Sequence, residues 1–291
     1  MKPAPFAFVR PQGLQQALEA LADDPGAKVL AGGQSLVPLL SMRLAAPSTL
    51  VDINALPELD RVHVDETGVR VGALARHADV LASPDVRRVQ PLLSLALAHV
   101  AHATIRNRGT VVGSLVHADA AAELPAVLRV LDGRVTTVSV SGSRTIRADA
   151  LYAGPLESTV QHDEIAVEAF FPALAPGEGV AFEELARRHG DYALCGVAAV
   201  VRVARGRVVA ARAGYLSVAD VPTVVDLAAP LGEEVADSTL AAAGDLALEQ
   251  LDAADDLHAT AAYRAQLVRV LTARAVRTAY DDALGREAAR A

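Results

Sequence analysis

The chain has 291 residues, of which 52% are hydrophobic, so it is long enough for two domains and too apolar to be disordered. Its net charge of −8 and its 3% aromatic content argue against a nucleic-acid-binding protein, which needs a basic surface or stacking aromatics. One cysteine, no apolar run near the roughly 20 residues of a membrane helix, and no apolar signal-peptide core predict a cytoplasmic protein without disulfides or a membrane span.

The first fifty residues predict a β-α-β-like unit. Apolar residues spaced i, i+3, i+4 and i+7 predict an amphipathic helix over 12–21. Predicted strands at 28–31 and 49–53 then enclose a glycine turn and a short helix that begins near Leu36.

The rest of the chain mixes strands and helices. Between residues 61 and 170 the sequence predicts a hairpin at 61–71, helices at 77–81 and 92–101, paired strands at 134–140 and 144–147, and a strand at 164–170. Clustered Pro and Gly at 172–179 predict a domain boundary near residue 176. Strands at 197–203 and 208–216 and helices at 238–251 and 259–284 follow. Because strands and helices do not alternate strictly, the predicted class is α+β.

The stretch Val29–Leu40 combines a strand, paired glycines and the start of a helix. Gly32 and Gly33 have no Cβ, so their backbone can adopt positive φ and approach another molecule closely. Free N–H groups before a helix, with Ser35 as a possible N-cap, are typical of a phosphate site. A plain turn between strand and helix explains the same residues.

A second stretch, Thr104–Leu128, also carries glycines and hydroxyls. Gly109, Thr110, Gly113 and Ser114 can offer hydrogen-bond donors to a phosphate or a ribose. Asp119 and Glu123 stand four residues apart, which predicts that they share a helix face. There they would accept bonds from ribose or ribityl hydroxyls, or cap the helix. Neither stretch matches the Rossmann or P-loop pattern, so the residues alone indicate an anion or dinucleotide site.

Five ordered motifs together resemble the FAD-binding medium subunit of molybdenum hydroxylases, the carbon monoxide dehydrogenase and xanthine dehydrogenase flavoprotein group. The resemblance rests on the following segments, which span most of the chain: Ala31–Leu36, Val51–Ile53, Gly72–His77, Ile105–Thr110 with Ala118-Asp119, and Arg187–Ala193.

The resemblance implies a vanillyl-alcohol-oxidase-like FAD-binding domain over 1–176, built of two α+β lobes at about 1–56 and 57–176. A smaller α+β C-terminal domain would occupy 177–291. It further implies that the two glycine loops hold the FAD pyrophosphate, Glu123 contacts the polar tail of the flavin, and Tyr192 lies near the isoalloxazine ring. The full set of implied cofactor-binding residues is Leu30, Ala31, Gly32, Gly33, Gln34, Ser35, Leu36, Val100, Thr104, Gly109, Thr110, Val112, Gly113, Ser114, Asp119, Glu123, Ile165 and Tyr192.

The function implied by the resemblance is electron transfer. FAD on this chain would receive electrons from two [2Fe–2S] clusters of a small partner subunit and pass them to NAD, O2, a quinone or another acceptor. A large partner subunit with a molybdenum cofactor would oxidise the organic substrate. We assign no general acid or base, and the histidines lack the spacing of metal ligands. The alternative is a stand-alone flavin- or nucleotide-binding protein without electron transfer.

Three positions depart from the family pattern. Val112 stands where the family usually has the first glycine of its second loop, so we expect that position in the β region or a remodelled loop. Ala120 stands where a proline often follows the aspartate, which is expected to loosen the loop slightly. Some relatives carry Lys near the position of Glu184, so cationic help for the flavin is not implied there.

Overall fold

The computed structural model describes residues 2–232 and 235–289, and its first sheet holds the first glycine loop. This sheet contains the parallel strands β1 (Ala7–Val9), β2 (Lys28–Leu30) and β3 (Thr49–Asp52) in the order β1-β3-β2, with helices α1 (Leu14–Ala22) and α2 (Leu36–Met42) as crossovers. Helix α1 is amphipathic as predicted, and it buries Ala17, Leu18 and Leu21.

The second sheet is antiparallel, with the order β4-β5-β10-β6-β7. The elements of this part of the chain, in order, are β4 (Val62–Asp65), β5 (Gly68–Gly72), α3 (His77–Ala82), α4 (Pro84–Val89), α5 (Pro91–His99), α6 (Ala103–Arg106), α7 (Val111–His117), α8 (Glu123–Val130), β6 (Arg134–Ser139), β7 (Gly142–Arg147), β8 (Tyr152–Gly154), β9 (Glu157–Ser158) and β10 (Ile165–Pro172). The two predicted hairpins, β4-β5 and β6-β7, pair with opposite edges of β10. The last strand in the chain is therefore the central strand of the sheet. Short 3-10 turns lie at Ile53–Ala55, Pro57–Leu59 and Ala148–Ala150.

The third sheet is antiparallel in chain order. Its strands are β11 (Glu178–Ala186), β12 (Ala193–Ala204), β13 (Arg207–Leu216) and β14 (Thr223–Asp226), followed by α9 (Ala228–Leu231), α10 (Asp237–Glu249) and α11 (Ala261–Ala288). Helix α11 packs on β11 and β12 and contacts α10, while α8 contacts β12 and β13. The sheet therefore lies between two helical layers.

Burial on both faces explains the sequence of β12. Its residues 193–201 are all buried, so the strand is continuously apolar and does not alternate. Alternate residues of the neighbouring β11 belong to two cores: Val180 and Phe182 pack with the α5 and α8 residues, whereas Ala181 packs with α11. The core of the second sheet and its helices thus extends past residue 176.

Among the elements that were not predicted, four have a plain physical reason. Strands β1 and β14 are short, with 3 and 4 residues, and carry little periodicity. Strand β11 contains adjacent glutamates that interrupt its apolar pattern. Helix α4 begins at Pro84, which the sequence suggested as a break, because proline is tolerated in the first turn and the Ser83 hydroxyl accepts from the Val86 N–H.

Candidate functional site

A cavity of about 580 Å³ lies where the two glycine stretches meet the loop between β11 and β12. The predicted cofactor-binding residues that line it are Ala31, Gly32, Gly33, Gln34, Ser35, Leu36, Val100, Gly109, Thr110, Val112, Gly113, Ser114, Asp119, Glu123, Ile165 and Tyr192. Leu30 and Thr104 do not line it: Leu30 belongs to β2, and Thr104 is exposed on α6. Residues from three separate parts of the chain therefore face one space.

The first glycine loop presents unbonded backbone donors. Gly33 has φ +72°, a conformation that favours glycine, and the Gln34 side-chain amide donates to the Gly32 carbonyl at 3.0 Å. Among the described residues, no acceptor lies within hydrogen-bond geometry of the backbone N–H groups from Gly33 to Leu36. Ser35 occupies the N-cap position of α2, but its side chain makes no capping bond. Ser35 is thus the N-cap residue as suggested, and its hydroxyl is free for another partner.

The second glycine loop ends at Thr110, and helix α7 begins at the next residue. The Thr110 hydroxyl accepts from the Gly113 N–H at 3.1 Å and caps α7. Val112 is consequently the second residue of a right-handed helix and is buried. The expectation of a β-region backbone at Val112 was wrong, because a helix that begins at Val111 needs no positive φ there.

The two loops touch each other. A Cβ on Gly32 would lie 2.3 Å from the Arg108 carbonyl oxygen and 2.9 Å from the Gly109 Cα, so only glycine fits at this contact. The Arg76 guanidinium donates to the Arg108 carbonyl at 2.6 Å and to the Asn54 Oδ1 at 2.8 Å. The Asn54 side-chain amide donates in turn to the Ala31 carbonyl at the start of the first loop. Arg76 therefore links the two loops.

The acidic residues do not share a helix face. Asp119 lies in the loop before α8, where its Oδ1 accepts from the Ala121 N–H at 2.9 Å, and Glu123 is the first residue of α8. The prediction of a shared face was wrong, because the chain turns between them. The loop is nevertheless held in place, since the Ala120 carbonyl accepts from the Ser217 N–H at 2.8 Å.

Burial changes the protonation of the carboxyl groups beside the cavity. Desolvation, together with the charge of Asp119, raises the pKa of Glu123 to about 7, although its own backbone N–H opposes the shift. Desolvation and then the charge of Glu123 raise the pKa of Glu184, on β11, to about 8. Glu184 thus stands close enough to Glu123 for the charge of Glu123 to disfavour the ionisation of Glu184.

Tyr192 stands at the edge of the cavity on the loop between β11 and β12, with 64% of its surface exposed. The neighbouring Asp191 carboxylate accepts from Arg187 and Arg188, each at 3.2 Å. Neither arginine lines the cavity, so both serve to hold this loop. Desolvation, followed by the charges of nearby acids, raises the pKa of the Tyr192 hydroxyl.

Sequence reasoning missed five polar residues of the cavity, which are Lys28, His77, His117, Glu164 and Asp191. Lys28 is the one Lys or Arg side chain that lines it within the described part of the chain. His77 lines it from the start of α3 and is only 5% exposed. His77 stands at the end of the third family-like segment, and that was the available signal. Apolar lining residues that were also missed include Val29, Leu39, Ile53, Ile105, Val116, Leu156 and Val160.

The residues present fit a dinucleotide cofactor. The free N–H groups of the first loop suit phosphate oxygens. Asp119 and Glu123 suit the hydroxyls of a ribose or ribityl chain. No grouping of three or more His, Cys, Asp or Glu residues fit to hold a metal ion occurs within residues 2–232 and 235–289. No helix in those ranges is long and apolar enough to cross a membrane.

Known proteins are similar to this chain over nearly its whole length. The family model described as the FAD binding domain in molybdopterin dehydrogenase matches residues 4–174, and that of the CO dehydrogenase flavoprotein C-terminal domain matches residues 180–279. Residue 176, the predicted boundary, lies between the two ranges. The chain is 42% identical to the 6-hydroxypseudooxynicotine dehydrogenase complex subunit alpha of Paenarthrobacter nicotinovorans, with 97% of each chain covered. It is 32% identical to the carbon monoxide dehydrogenase medium chain of Hydrogenophaga pseudoflava, over 96% of this chain and 99% of that one.

Solved structures agree with this relationship. A chain of quinoline 2-oxidoreductase from Pseudomonas putida 86 superposes with a TM-score of 0.91 at 37% identity, covering 99% of this chain and 100% of that chain. A chain of carbon monoxide dehydrogenase from Hydrogenophaga pseudoflava also gives a TM-score of 0.91, at 32% identity, over 97% of this chain and 99% of that one. The predicted α+β fold, an FAD-binding domain of the vanillyl-alcohol-oxidase-like type followed by a smaller domain, is confirmed. The chain belongs to the FAD-binding medium subunits of the molybdenum hydroxylase family.

Proposed function

We propose that this subunit carries electrons between an iron–sulfur partner subunit and an acceptor such as NAD, O2 or a quinone, with FAD held in the cavity described above. The observation that carries the proposal is the meeting of the two glycine loops and Tyr192 around one 580 Å³ space. FAD supplies the capacity to accept and release electrons, while the protein binds and orients it.

The contacts follow from the donors and acceptors of the cavity. The backbone N–H groups from Gly33 to Leu36 donate to the diphosphate, together with the Ser114 hydroxyl. Asp119 and Glu123 accept hydrogen bonds from hydroxyls of the ribityl chain or ribose. Apolar side chains pack against the isoalloxazine ring beside Tyr192, and they include Val100 and Ile165.

The cavity binds the diphosphate mainly through neutral donors. Lys28 is the single cationic side chain in the described lining, whereas Asp119, Glu123, Glu164 and Asp191 are acidic. Because N–H dipoles rather than ion pairs hold the phosphates, FAD affinity depends on the geometry of the loops and only weakly on ionic strength.

We also propose that the subunit works in a complex with a large molybdenum-cofactor subunit and a small iron–sulfur subunit. Relatives are named as complex subunits or as medium chains, which supports this arrangement. Cys195 is the one cysteine of the chain and is buried. Electrons that arrive from [2Fe–2S] clusters must therefore come from another chain.

The alternative, a stand-alone binding protein without electron transfer, was suggested by Val112 and Ala120. Val112 occupies an ordinary helical position, and the Ala120 carbonyl is bonded to the Ser217 N–H. Neither departure gives a structural reason for losing the cofactor, so electron transfer is the function that the geometry supports best.

The test begins with the purified chain. FAD is added, the excess is removed, and the visible spectrum and melting temperature are recorded. We expect retained flavin absorbance that bleaches on reduction, and a higher melting temperature with FAD. The chain is then combined with the iron–sulfur subunit expressed from the same source. Retained flavin that the reduced partner does not bleach would favour the stand-alone alternative, and no retained flavin would contradict FAD binding by the isolated chain.

A further inference from the structure

An exposed apolar strip runs along the first sheet beside the cavity. Its residues come from two elements, with Phe6 and Phe8 at β1 and Val37, Met42 and Leu44 on or directly after α2. Phe8 is 55% exposed and Leu44 is 71% exposed, whereas the other three phenylalanines of the chain are buried. Large apolar side chains that neighbouring elements leave in water indicate an interaction surface. We call these five residues the β1–α2 strip.

The register of the sheet brings the two halves of the strip to one face. Phe8 pairs with Leu50 of β3, and the next residue of β3, Val51, packs with α1 on the other face. The connections from β1 to β2 and from β2 to β3 cross the sheet in opposite directions, so right-handed crossovers place α2 on the face opposite α1. Phe8 thus lies on the face that carries α2. The Arg43 guanidinium, directly after α2, donates to the Lys2 carbonyl at 3.1 Å and holds the N-terminal segment against the end of this helix.

The strip and the cavity share helix α2. Leu36 and Leu39 line the cavity, and so does Ala45, which directly follows Leu44. Val37 does not line the cavity and is exposed. Because a helix is about 10 Å wide, a protein bound to the strip stands roughly one helix diameter from the space proposed for FAD. A partner that exchanges electrons with the cofactor has to bind at such a short distance.

The surroundings of the strip are basic although the whole chain is acidic. Segments 1–18 and 28–51, which form the strip, contain Lys2, Arg10, Lys28 and Arg43 and no Asp or Glu, whereas the chain has a net charge of −8. Arg10 pairs with Asp52 at 3.6 Å, and Lys2 and Arg43 are exposed. A second copy of the chain, packed face to face, would bring the same cations against each other, so the charge disfavours a symmetric dimer. The complementary partner carries an apolar patch with acidic residues around it.

We propose that the β1–α2 strip is the docking surface for the iron–sulfur partner subunit, which meets it with an apolar patch surrounded by Asp and Glu. The inference rests on the proposed electron-transfer function and adds the place where the electron donor binds. Apolar contact supplies the binding energy, and the basic surroundings select an acidic partner and speed its approach.

The first test measures binding of the iron–sulfur subunit, expressed from the same source, to the FAD-loaded chain by isothermal titration calorimetry. Phe8→Glu and Met42→Glu each put a carboxylate into the strip, so we expect the dissociation constant for the partner to rise at least about tenfold. Val140→Glu is the matched control, because Val140 is 49% exposed, as Met42 is, and lies in the turn between β6 and β7. Retained flavin and an unchanged melting temperature verify that each variant is folded. Equal partner affinity in both strip variants and the control would overturn the proposal.

The second test uses the wild-type chain and varies the salt concentration. Raising KCl from about 50 to about 300 mM should weaken binding of the partner several-fold, because exposed charges attract less strongly at high ionic strength. FAD binding should change little over the same range. Partner affinity that does not depend on salt would contradict an acidic partner at this surface. If the FAD-loaded wild type bound no iron–sulfur subunit at all, the proposed complex itself would fail, whereas normal binding by the strip variants would overturn only the docking site.

Two other occupants are tested with the same variants. Wild type and Met42→Glu are sedimented with vesicles of phosphatidylcholine and phosphatidylserine, and wild type and Phe8→Glu are compared by analytical ultracentrifugation. We expect no vesicle binding and a monomer in both cases. Vesicle binding that Met42→Glu loses while it still binds the partner would assign the strip to a membrane surface. A dimer that Phe8→Glu dissociates, with partner binding intact, would assign it to a second copy of the chain. Either result would overturn the proposal.

Discussion

The Arg76 guanidinium and the Asn54 side chain are joined by a hydrogen bond of 2.8 Å that couples the two glycine loops. Asn54 donates from its Nδ2 to the Ala31 carbonyl at 2.8 Å, at the entrance to the first loop. Arg76 donates to the Arg108 carbonyl at 2.6 Å, just before the second loop. The separation of the two glycine loops is therefore set by side chains that do not themselves line the cavity.

Removal of this bridge should weaken FAD binding. In Arg76→Ala the Arg108 carbonyl and the Asn54 Oδ1 each lose a donor, and the two loops can move apart. We expect the dissociation constant for FAD to increase about tenfold, corresponding to roughly 1–2 kcal/mol for the lost charged hydrogen bonds. Flavin fluorescence titration measures the change. Arg88→Ala is the control, because Arg88 pairs with Asp85 on an exposed helix outside the cavity. Unchanged affinity in Arg76→Ala would show that the loops keep their spacing without the bridge.

Gly32→Ala should disrupt both the fold of the first loop and the binding of FAD. The new Cβ would lie 2.3 Å from the Arg108 carbonyl oxygen, and a backbone atom at that distance must move. We expect a loss of about 2–4 kcal/mol in the free energy of unfolding and no retained flavin. Urea unfolding and the visible spectrum provide the two measurements. Gly285→Ala, on α11, has no atom within 4 Å of its new Cβ and should keep both stability and flavin. A stable Gly32→Ala that retained flavin would contradict the close contact between the loops.

Glu184 should make the stability of the chain fall as the pH rises. Its folded-state pKa is about 8 because burial and Glu123 disfavour its charge, whereas an unfolded glutamate titrates near its ordinary value of about 4.5. Between these values the folded chain binds a proton that the unfolded chain has released, so the free energy of unfolding decreases with pH across that window. Glu123, with a pKa of about 7, adds a slope of the same sign.

Glu184→Gln tests this directly, because the amide has nearly the same shape and cannot ionise. We expect the variant to gain melting temperature relative to wild type between pH 5 and pH 8.5, measured by differential scanning fluorimetry in matched buffers. The exposed Glu66→Gln should show no such pH-dependent gain. A constant difference between Glu184→Gln and wild type over the whole range would argue that Glu184 is ionised in the folded chain at neutral pH.

Arg264 should contribute to the stability of the C-terminal part of the chain. This arginine is 6% exposed and donates to the carbonyls of Leu194 at 3.2 Å and Ala254 at 2.7 Å, and to the Asp256 carboxylate at 2.7 Å. The Arg264 hydrogen bond is the largest cause that holds the pKa of Asp256 well below its usual range. In Arg264→Ala the buried Leu194 carbonyl loses its side-chain donor, so we expect a loss of about 3 kcal/mol in the free energy of unfolding.

Urea denaturation followed by circular dichroism measures this loss. Arg274→Ala is the matched control, since Arg274 is exposed on the same helix, α11. A change in Arg264→Ala no larger than in the control would mean that water replaces the lost donors without cost.

The features that the sequence determined by itself are local ones. The spacing of Leu14, Leu18 and Leu21 was enough to predict α1, and the glycine pairs marked both loops, because helix periodicity and backbone freedom depend on neighbouring residues only. The mixed pattern of strands and helices gave the α+β class, and the family-like segments added the vanillyl-alcohol-oxidase-like type and the FAD cofactor. The same local reasoning failed at Val112 and at the supposed helix face of Asp119 and Glu123, since it did not show that Thr110 starts one helix and Glu123 another.

Only the tertiary structure decided which distant residues meet. Arg76 donates to Asn54 and Arg108, and the His77 ring packs against Gly109. Glu184 on β11 lies near Glu123 on α8. Nothing in the residues next to His77 or Glu184 shows that their side chains are buried. Their desolvation, and with it their shifted pKa values, comes from segments that pack on them from elsewhere in the chain.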